Sequence, residues 1–97
     1  MVTFRPARLR ELEGPKPGRL YELSEVAELG RALECHVHIR DLTVSRRHAR
    51  IVRIEDRFLL EDLGSGNGTF INEHPIERQF LKHLDVIRVS KNRYIFE

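Results

Sequence analysis

The chain has 97 residues, of which 40% are hydrophobic and 33% charged, with a formal net charge of +2 at pH 7. This predicts one folded domain over residues 1–97 and excludes a disordered chain. No apolar run approaches the roughly 20 residues that cross a bilayer, and the opening MVTFRPARLR lacks the apolar core of a signal peptide. The single cysteine, Cys35, cannot form an internal disulfide. We therefore expect a cytoplasmic protein without a membrane partner.

The N-terminal third contains a loop followed by an ambiguous segment. EGPKPG (13–18) has two prolines and two glycines, which predict a turn or loop. In residues 19–34, Leu20, Leu23, Ala27 and Leu33 recur at helical spacing. Periodicity alone therefore favours an amphipathic helix there, with Gly30 as its weak point.

From residue 49 onward the pattern is that of short strands joined by tight turns. Polar pairs, Glu55-Asp56 and Lys91-Asn92, interrupt apolar runs and predict two hairpins. Pro75 is expected between strands, where its missing N–H is tolerated. The predicted strands are 49–54, 57–63, 69–72, 85–90 and 93–97.

The basic stretch TVSRRHARI (43–51) raises the possibility of a catalytic or metal site. Ser45, His48 and Asp62 are the residue types of a hydrolytic triad, but Ser45 lies in no G-x-S-x-G elbow. The neighbouring CHVH (35–38) brings a cysteine and two histidines together, yet no paired spacing announces the remaining ligands of a metal. We expect neither a catalytic residue nor a metal ligand in these sets.

Two further interpretations concern phosphate groups of nucleotides and nucleic acids. The glycines of GSGNG (64–68) are typical of a phosphate-binding loop, but a strand rather than a Gly-Lys-Ser/Thr ending or a helix follows them. Four arginines within residues 46–53 are compatible with a nucleic-acid backbone, whereas aromatics are few and Trp is absent. A small nucleic-acid-binding domain remains the alternative function, and we expect Arg50 and Arg53 to be solvated.

A binding site for a single anion would account for several sequence features together. Gly30-Arg31, residues 45–48 and DLGSGNGTFIN (62–72) are polar or glycine-bearing segments between apolar strands. Loops at one end of a β-sandwich can converge on a common site. Two arginines and a serine hydroxyl could then surround a dianionic phosphate through charge-assisted hydrogen bonds.

The order and spacing of these motifs resemble the forkhead-associated (FHA) domain, a reader of phosphothreonine peptides, and its bacterial members in particular. The matching motifs are Gly30-Arg31, Ser45-x-x-His48 and the run from Asp62 to Thr69. The resemblance extends from about residue 7 to residue 97. It implies an all-β fold, an eleven-stranded antiparallel β-sandwich with the ligand loops at one end. It also divides residues 19–34 into strands 19–23 and 26–31, with a turn at Ser24-Glu25.

The resemblance also implies a role for individual residues. It predicts a non-enzymatic module without cofactor or metal that docks phosphothreonine-containing proteins downstream of Ser/Thr kinases, with no nucleic acid as partner and the oligomeric state left open. His48 is expected to support the binding loops from beneath rather than to act as a base. The implied phosphate ligands are Arg31, Ser45 and Arg46; the peptide contacts are Asn67, Gly66, Thr43 and Arg47; and the structural support comes from Gly30, His48, Gly68 and Thr69.

The chain departs from the family pattern at three places. Gly66 stands where a side chain often assists the phosphate, so that contact is lost or made by a backbone N–H. Leu84-Asp85 replaces a late Gly-Asp, and Ser90 replaces a glycine at the end of that strand. We expect the last two to alter local turn geometry and to lie far from the site.

Overall fold

A computed structural model describes residues 6–97 of the chain; residues 1–5 of the predicted domain lie outside this range. The described residues form strands joined by turns and loops, with no helix that could span a membrane. The strands are β1 (Ala7–Glu13), β2 (Leu20–Leu23), β3 (Val26–Gly30), β4 (Val37–His38), β5 (Ala49–Ile54), β6 (Arg57–Asp62), β7 (Thr69–Ile71), β8 (His74–Ile76), β9 (Arg78–Phe80), β10 (Val86–Val89) and β11 (Asn92–Phe96).

These strands form two sheets that pack face to face. The six-stranded sheet has the order β2-β1-β11-β10-β7-β8, and the five-stranded sheet has the order β4-β3-β5-β6-β9. All pairings within residues 6–97 are antiparallel except β3 with β4. Alternate residues of both sheets face a shared core, in which Leu9, Ile51 and Tyr94 are at most 1% exposed. The predicted β-sandwich is confirmed.

The segment with helical periodicity forms two strands that belong to different sheets. Leu20–Leu23 pairs with β1 in the six-stranded sheet, and Val26–Gly30 pairs with β5 in the five-stranded sheet. Ser24 and Glu25 carry the chain from one sheet to the other, as the resemblance implied. The helix is therefore excluded: the two halves of the segment pair with separate sheets, where Leu23 and Leu29 are buried, and tertiary pairing overrides the helical propensity.

The strands predicted after residue 49 agree with the structure to within one residue at each end. Three short strands, β4, β8 and β9, were not predicted. The placement of Pro75 between strands was wrong, since it lies inside β8 and opposite Phe70. Because β8 is an edge strand, the proline needs no N–H on its outer side.

The two late departures from the family pattern have a clear backbone consequence. Leu84 and Ser90 adopt φ values of 72° and 56°, in the left-handed region that favours glycine. The chain thus adopts a glycine-like backbone at both positions while carrying a side chain there, at a cost of roughly 1–2 kcal/mol per residue.

Candidate functional site

Three loops meet at one end of the sandwich, where β3 ends, β5 begins and the β6–β7 connection runs. The Arg31 N–H donates to the Ser45 carbonyl over 3.1 Å, and the Ala32 N–H donates to the Arg46 carbonyl over 3.0 Å. The Gly66 N–H donates to Ser45 Oγ over 3.2 Å. The structure thereby brings Arg31, Ser45, Arg46 and Gly66 together.

Gly30 allows the first two loops to approach so closely. A Cβ atom at this position would lie 2.2 Å from the Arg46 carbonyl oxygen and 3.1 Å from the Arg47 Cα. Any side chain at residue 30 would therefore push the 45–47 segment away from β3. The glycine is required for space, which fits its predicted role as structural support.

The His48 side chain connects the second and third loops from below. It is 0% exposed; Nδ1 accepts the Ser45 backbone N–H over 3.1 Å, and Nε2 lies 2.8 Å from the Gly68 carbonyl oxygen. Since Nδ1 is an acceptor, the proton resides on Nε2, which donates to Gly68. Both ring nitrogens thus hold backbone groups of the loops in place.

A second set of hydrogen bonds, centred on Asp62, shapes the glycine-rich loop. The carboxylate accepts from Ser65 Oγ over 2.5 Å, from Thr69 Oγ1 over 2.7 Å and from the Gly64 and Ser65 N–H groups. Ser65 Oγ also accepts the Gly68 N–H over 2.9 Å. Burial opposes ionisation of Asp62, but the bonds from Ser65 and Thr69 outweigh it and lower the pKa of the carboxyl.

The potential phosphate ligands keep donors that the protein does not use. Arg31 Nε donates to the Val44 carbonyl over 3.2 Å, which fixes the guanidinium and leaves its terminal N–H groups available. Ser45 Oγ accepts from Gly66 and retains its own O–H. Arg46 is exposed, and its guanidinium makes no ion pair within residues 6–97.

Thr43 and Asn67 join the second loop to the third. Asn67 Nδ2 donates to the Thr43 carbonyl over 2.6 Å. The Thr43 hydroxyl donates to Asp41 Oδ1 over 2.7 Å and lies 2.5 Å from Ser90 Oγ. The hydrogen bonds from Thr43 lower the pKa of Asp41. The expectation that Ser90 lies far from the site was wrong, because the β10–β11 turn reaches Thr43.

The side chains of the other three arginines of the basic stretch contact residues of the five-stranded sheet. Arg47 forms an ion pair with Glu28 of β3, so its guanidinium is engaged there. Arg50 pairs with Glu61 over 3.0 Å, and Arg53 stacks 5.2 Å from the centre of the Phe58 ring. The expectation that Arg50 and Arg53 are merely solvated was wrong, since both are half-buried.

The structure does not assemble the catalytic or the metal site that the sequence raised. His48 accepts the backbone N–H of Ser45 rather than its hydroxyl, and Asp62 is bonded to the glycine-rich loop. Cys35 Sγ, His36 Nε2 and His38 Nε2 each contact a carbonyl oxygen of a different residue. Within residues 6–97, no three His, Cys, Asp or Glu side chains are grouped as metal ligands.

Two residues of the loop scaffold, Ser65 and Asp41, were missed at the level of sequence. Each takes part in a local turn: Asp62 accepts from residues two and three positions later, and Asp41 accepts the Thr43 N–H over 2.9 Å. Asp followed two or three residues later by Ser or Thr is the signal of such turns, and it is present in both loops.

Comparison with known proteins adds independent information on this site. The family model described as FHA domain matches residues 27–90, a range that contains all three loops. The chain is 37% identical over 84 residues to the oxoglutarate dehydrogenase inhibitor of Corynebacterium jeikeium, covering 86% of this chain and 58% of that protein. It is 33% identical to the glycogen accumulation regulator GarA of Mycobacterium tuberculosis, covering 86% of this chain and 52% of that protein. The chain thus spans about half the length of these curated relatives.

Solved structures agree with the fold over nearly the whole chain. A structure from work on phosphothreonine-dependent FHA domain interactions superposes with a TM-score of 0.89 at 34% identity, covering 96% of each chain. The FhaA FHA domain complexed with the intracellular domain of Rv3910 superposes with a TM-score of 0.86 at 35% identity, covering 94% of this chain and 99% of that one. The predicted resemblance is confirmed.

Proposed function

The chain belongs to the FHA-domain family, and from this premise we propose that it is a phosphothreonine-dependent module that docks phosphorylated partner proteins. The observation that carries the proposal is the convergence of Arg31, Ser45 and Arg46 at one end of the sandwich, each with hydrogen-bond donors that the protein does not use. The relatives described above support the same class of ligand, since one is from work on phosphothreonine-dependent interactions.

The chemistry of the ligand fits these donors. Phosphothreonine carries roughly −1.5 to −2 charges at pH 7 and presents three acceptor oxygens. In the proposed complex, Arg31 binds the phosphate through its terminal N–H groups, Ser45 donates its hydroxyl, and Arg46 closes over the remaining oxygen. An unphosphorylated threonine offers none of this charge, so the two guanidinium groups provide the selectivity.

Asn67 is proposed to bind the backbone of the peptide next to the phosphothreonine. One N–H of its amide is bonded to Thr43, which orients the side chain and leaves the second N–H and Oδ1 for the peptide. Gly66 contributes through its N–H, which already donates to Ser45 Oγ and so aims the hydroxyl. Thr43 and Arg47 are proposed to lie near residues that follow the phosphothreonine.

We also propose that the domain has no catalytic activity. The histidine that contacts Ser45 is His48, and both of its ring nitrogens are bonded to backbone groups. It is therefore unable to accept a proton from Ser45 Oγ, as a nucleophile of this type requires. A cytoplasmic location is part of the proposal, and the free, buried Cys35 is compatible with it.

The experiment is a calorimetric titration with three peptides of one sequence that carry threonine, phosphothreonine or phosphoserine at the central position. We expect binding of the phosphothreonine peptide, a weaker response to phosphoserine and none to threonine. Equal affinity for all three peptides would refute the proposed function. A matched titration with duplex DNA, repeated at two salt concentrations, tests the nucleic-acid alternative, for which affinity falls steeply with salt.

A further inference from the structure

A groove continues from Arg31 along the β4–β5 connection, outside the three binding loops. Its first part is a cavity of about 490 Å³, a size within the usual range for ligand sites. We name it the Arg40 groove, and its lining residues are Arg31, Leu33, His38, Arg40, Asp41 and Leu42.

Two further cavities extend the groove, because Arg40 lines all three. One, of about 150 Å³, leads toward Lys16 and Arg19 of the β1–β2 hairpin. The other, of about 450 Å³, leads past Asp41 toward Lys91 in the β10–β11 turn. The three cavities therefore adjoin one another at Arg40, and the first of them begins at Arg31, a proposed phosphate ligand.

The cations of the groove have no ion-pair partner among residues 6–97, unlike many arginines on the two sheet faces. Arginines of the two sheet faces, such as Arg8, Arg50 and Arg88, are paired with glutamates at 2.8–3.0 Å. Within residues 6–97, no ion pair involves the five cations of the groove, which are Lys16, Arg19, Arg31, Arg40 and Lys91.

The carboxylates along the groove are already engaged by the protein. Glu11 is 3% exposed and accepts the Lys16 backbone N–H. Glu13 pairs with Arg93, and Asp41 accepts from Thr43 and from Asn92 Nδ2. The five cations thus outnumber the three carboxylates, and the excess positive charge faces solvent next to the phosphate site.

Two leucines at the rim contribute apolar surface. Leu33 is 82% exposed and Leu42 is 90% exposed, and they line the cavity as parts of the β3–β4 and β4–β5 connections. Such side chains fit the methylene groups of glutamate or an apolar residue between carboxylates. Charge and apolar surface together match an extended acidic peptide.

We propose that the Arg40 groove binds an acidic segment of the same partner polypeptide that presents the phosphothreonine. This inference rests on the proposed function, since the groove begins at Arg31. It adds a determinant of partner choice that is separate from the phosphate: carboxylates flanking the phosphothreonine increase affinity, and they do so through Arg40 and its neighbours.

The test uses three phosphothreonine peptides that share the same central residues. The first carries a run of glutamates before these residues, the second carries it after them, and the third carries glutamines on both sides. Affinities are measured for the wild-type chain, Arg40→Gln and the control Lys82→Gln. Lys82 is exposed and follows Leu81, whose N–H donates to the Phe58 carbonyl. Phe58 lies at the end of β6 that is opposite the binding loops. The control therefore removes the same charge at a distance from the groove.

We expect one glutamate peptide to bind more tightly than the glutamine peptide at low salt, with the position of the run showing which flank enters the groove. Arg40→Gln should lower the affinity for that glutamate peptide by about fivefold, the scale of one exposed ion pair. The affinity for the glutamine peptide should not change. Lys82→Gln should change neither affinity, and added salt should shrink the gain.

Other outcomes overturn the inference in distinguishable ways. If the glutamine peptide binds as well as both glutamate peptides, the groove is not a site for acidic segments, while the proposed function stands. If no phosphothreonine peptide binds, both proposals fail. If duplex DNA binds and Arg40→Gln weakens it while glutamates have no effect, the occupant is a nucleic acid and not an acidic peptide.

Discussion

Replacing Gly30 by alanine should disturb the binding loops without removing any group that touches the ligand. The added Cβ would lie 2.2 Å from the Arg46 carbonyl oxygen and 2.9 Å from its carbonyl carbon. Carbon and oxygen atoms in contact settle at roughly 3.3 Å or more, so β3 and the 45–47 segment must separate by about 1 Å. Both neighbours are backbone, which cannot rotate away. Overpacking of this kind costs about 1–3 kcal/mol in the free energy of unfolding.

The same displacement should weaken phosphopeptide binding. The bonds from Arg31 N–H to Ser45 and from Ala32 N–H to Arg46 hold the two loops in register, and they are the bonds that a 1 Å separation breaks. Arg31 and Ser45 then no longer face one phosphate together. Loss of one hydrogen bond to a charged group, about 1.5–3 kcal/mol, corresponds to at least a tenfold decrease in affinity.

The assay combines urea denaturation with calorimetric titration of a phosphothreonine peptide. Gly66→Ala is the matched control for stability, because a Cβ there meets no atom within 4 Å and the backbone φ is not positive. It should change the free energy of unfolding by no more than about 0.5 kcal/mol. A Gly30→Ala variant with wild-type stability and affinity would refute the close approach of β3 to Arg46 and the role assigned to it.

Three other predictions follow from single residues. Arg31→Ala and Ser45→Ala should each weaken phosphothreonine-peptide binding by about 1.5–3 kcal/mol in the same titration. Wild-type affinity in both variants would show that the peptide binds elsewhere. Because hydrogen bonds lower the pKa of Asp62 in the folded protein, its stabilising contribution is present above the unfolded-state pKa of about 4 and is lost as the pH falls through the lower folded value. Asp62→Asn should therefore reduce the free energy of unfolding at pH 7 by about 1.5–3 kcal/mol and flatten its decline below about pH 4 in urea titrations; an unchanged acid profile would contradict this. Leu84→Gly should relieve the left-handed backbone at φ 72° and, net of glycine's entropy, add about 0.5–1 kcal/mol, seen as a rise in Tm of a few degrees; a fall would contradict it.

The positions of the strands could be predicted from local patterns only where the local conformational preference agrees with the tertiary pairing. After residue 49 they agree, since alternating apolar residues and polar two-residue turns favour the hairpins that form. In residues 19–34 they conflict: Leu20 and Leu33 belong to the helical stripe, yet they are 46% and 82% exposed. Cross-strand pairing with β1 and β5 decides the outcome there, and neither partner is visible within the segment itself. Only the spacing of the motifs pointed to the correct fold.

The short strands show a second limit of sequence reasoning. β4, β8 and β9 have two or three residues each, too few for alternation to be recognised. They exist because neighbouring strands offer open edges: β4 pairs with β3 in parallel, and β9 extends the sheet beyond β6. Their positions follow from the assembled sheets, and Pro75 could lie in a strand only because β8 is at such an edge.

The sequence indicated which residues come together in the candidate site, but it did not indicate most of the hydrogen bonds and ion pairs between them. The motifs identified Arg31, Ser45 and His48, and the structure brings them together. Arg47 could not be distinguished from Arg46 by composition, because the difference is the position of Glu28 on β3, which captures the second arginine of the pair. The contact of Thr43 with Ser90 joins residues 47 positions apart, and such distances in sequence carry no local signal.

The serine and histidine that suggested catalysis show how the same residue types serve a different purpose. In a nucleophilic pair the histidine must face the hydroxyl, whereas here it binds the backbone N–H of Ser45 and the Gly68 carbonyl. The histidine thus fixes the loop, and the hydroxyl is aimed outward by Gly66. Because the loops are ordered by bonds within the protein, little conformational entropy remains to be lost on binding. In the proposed complex, affinity then depends chiefly on the few unused donors of Arg31, Ser45 and Arg46, which the dianionic phosphate engages.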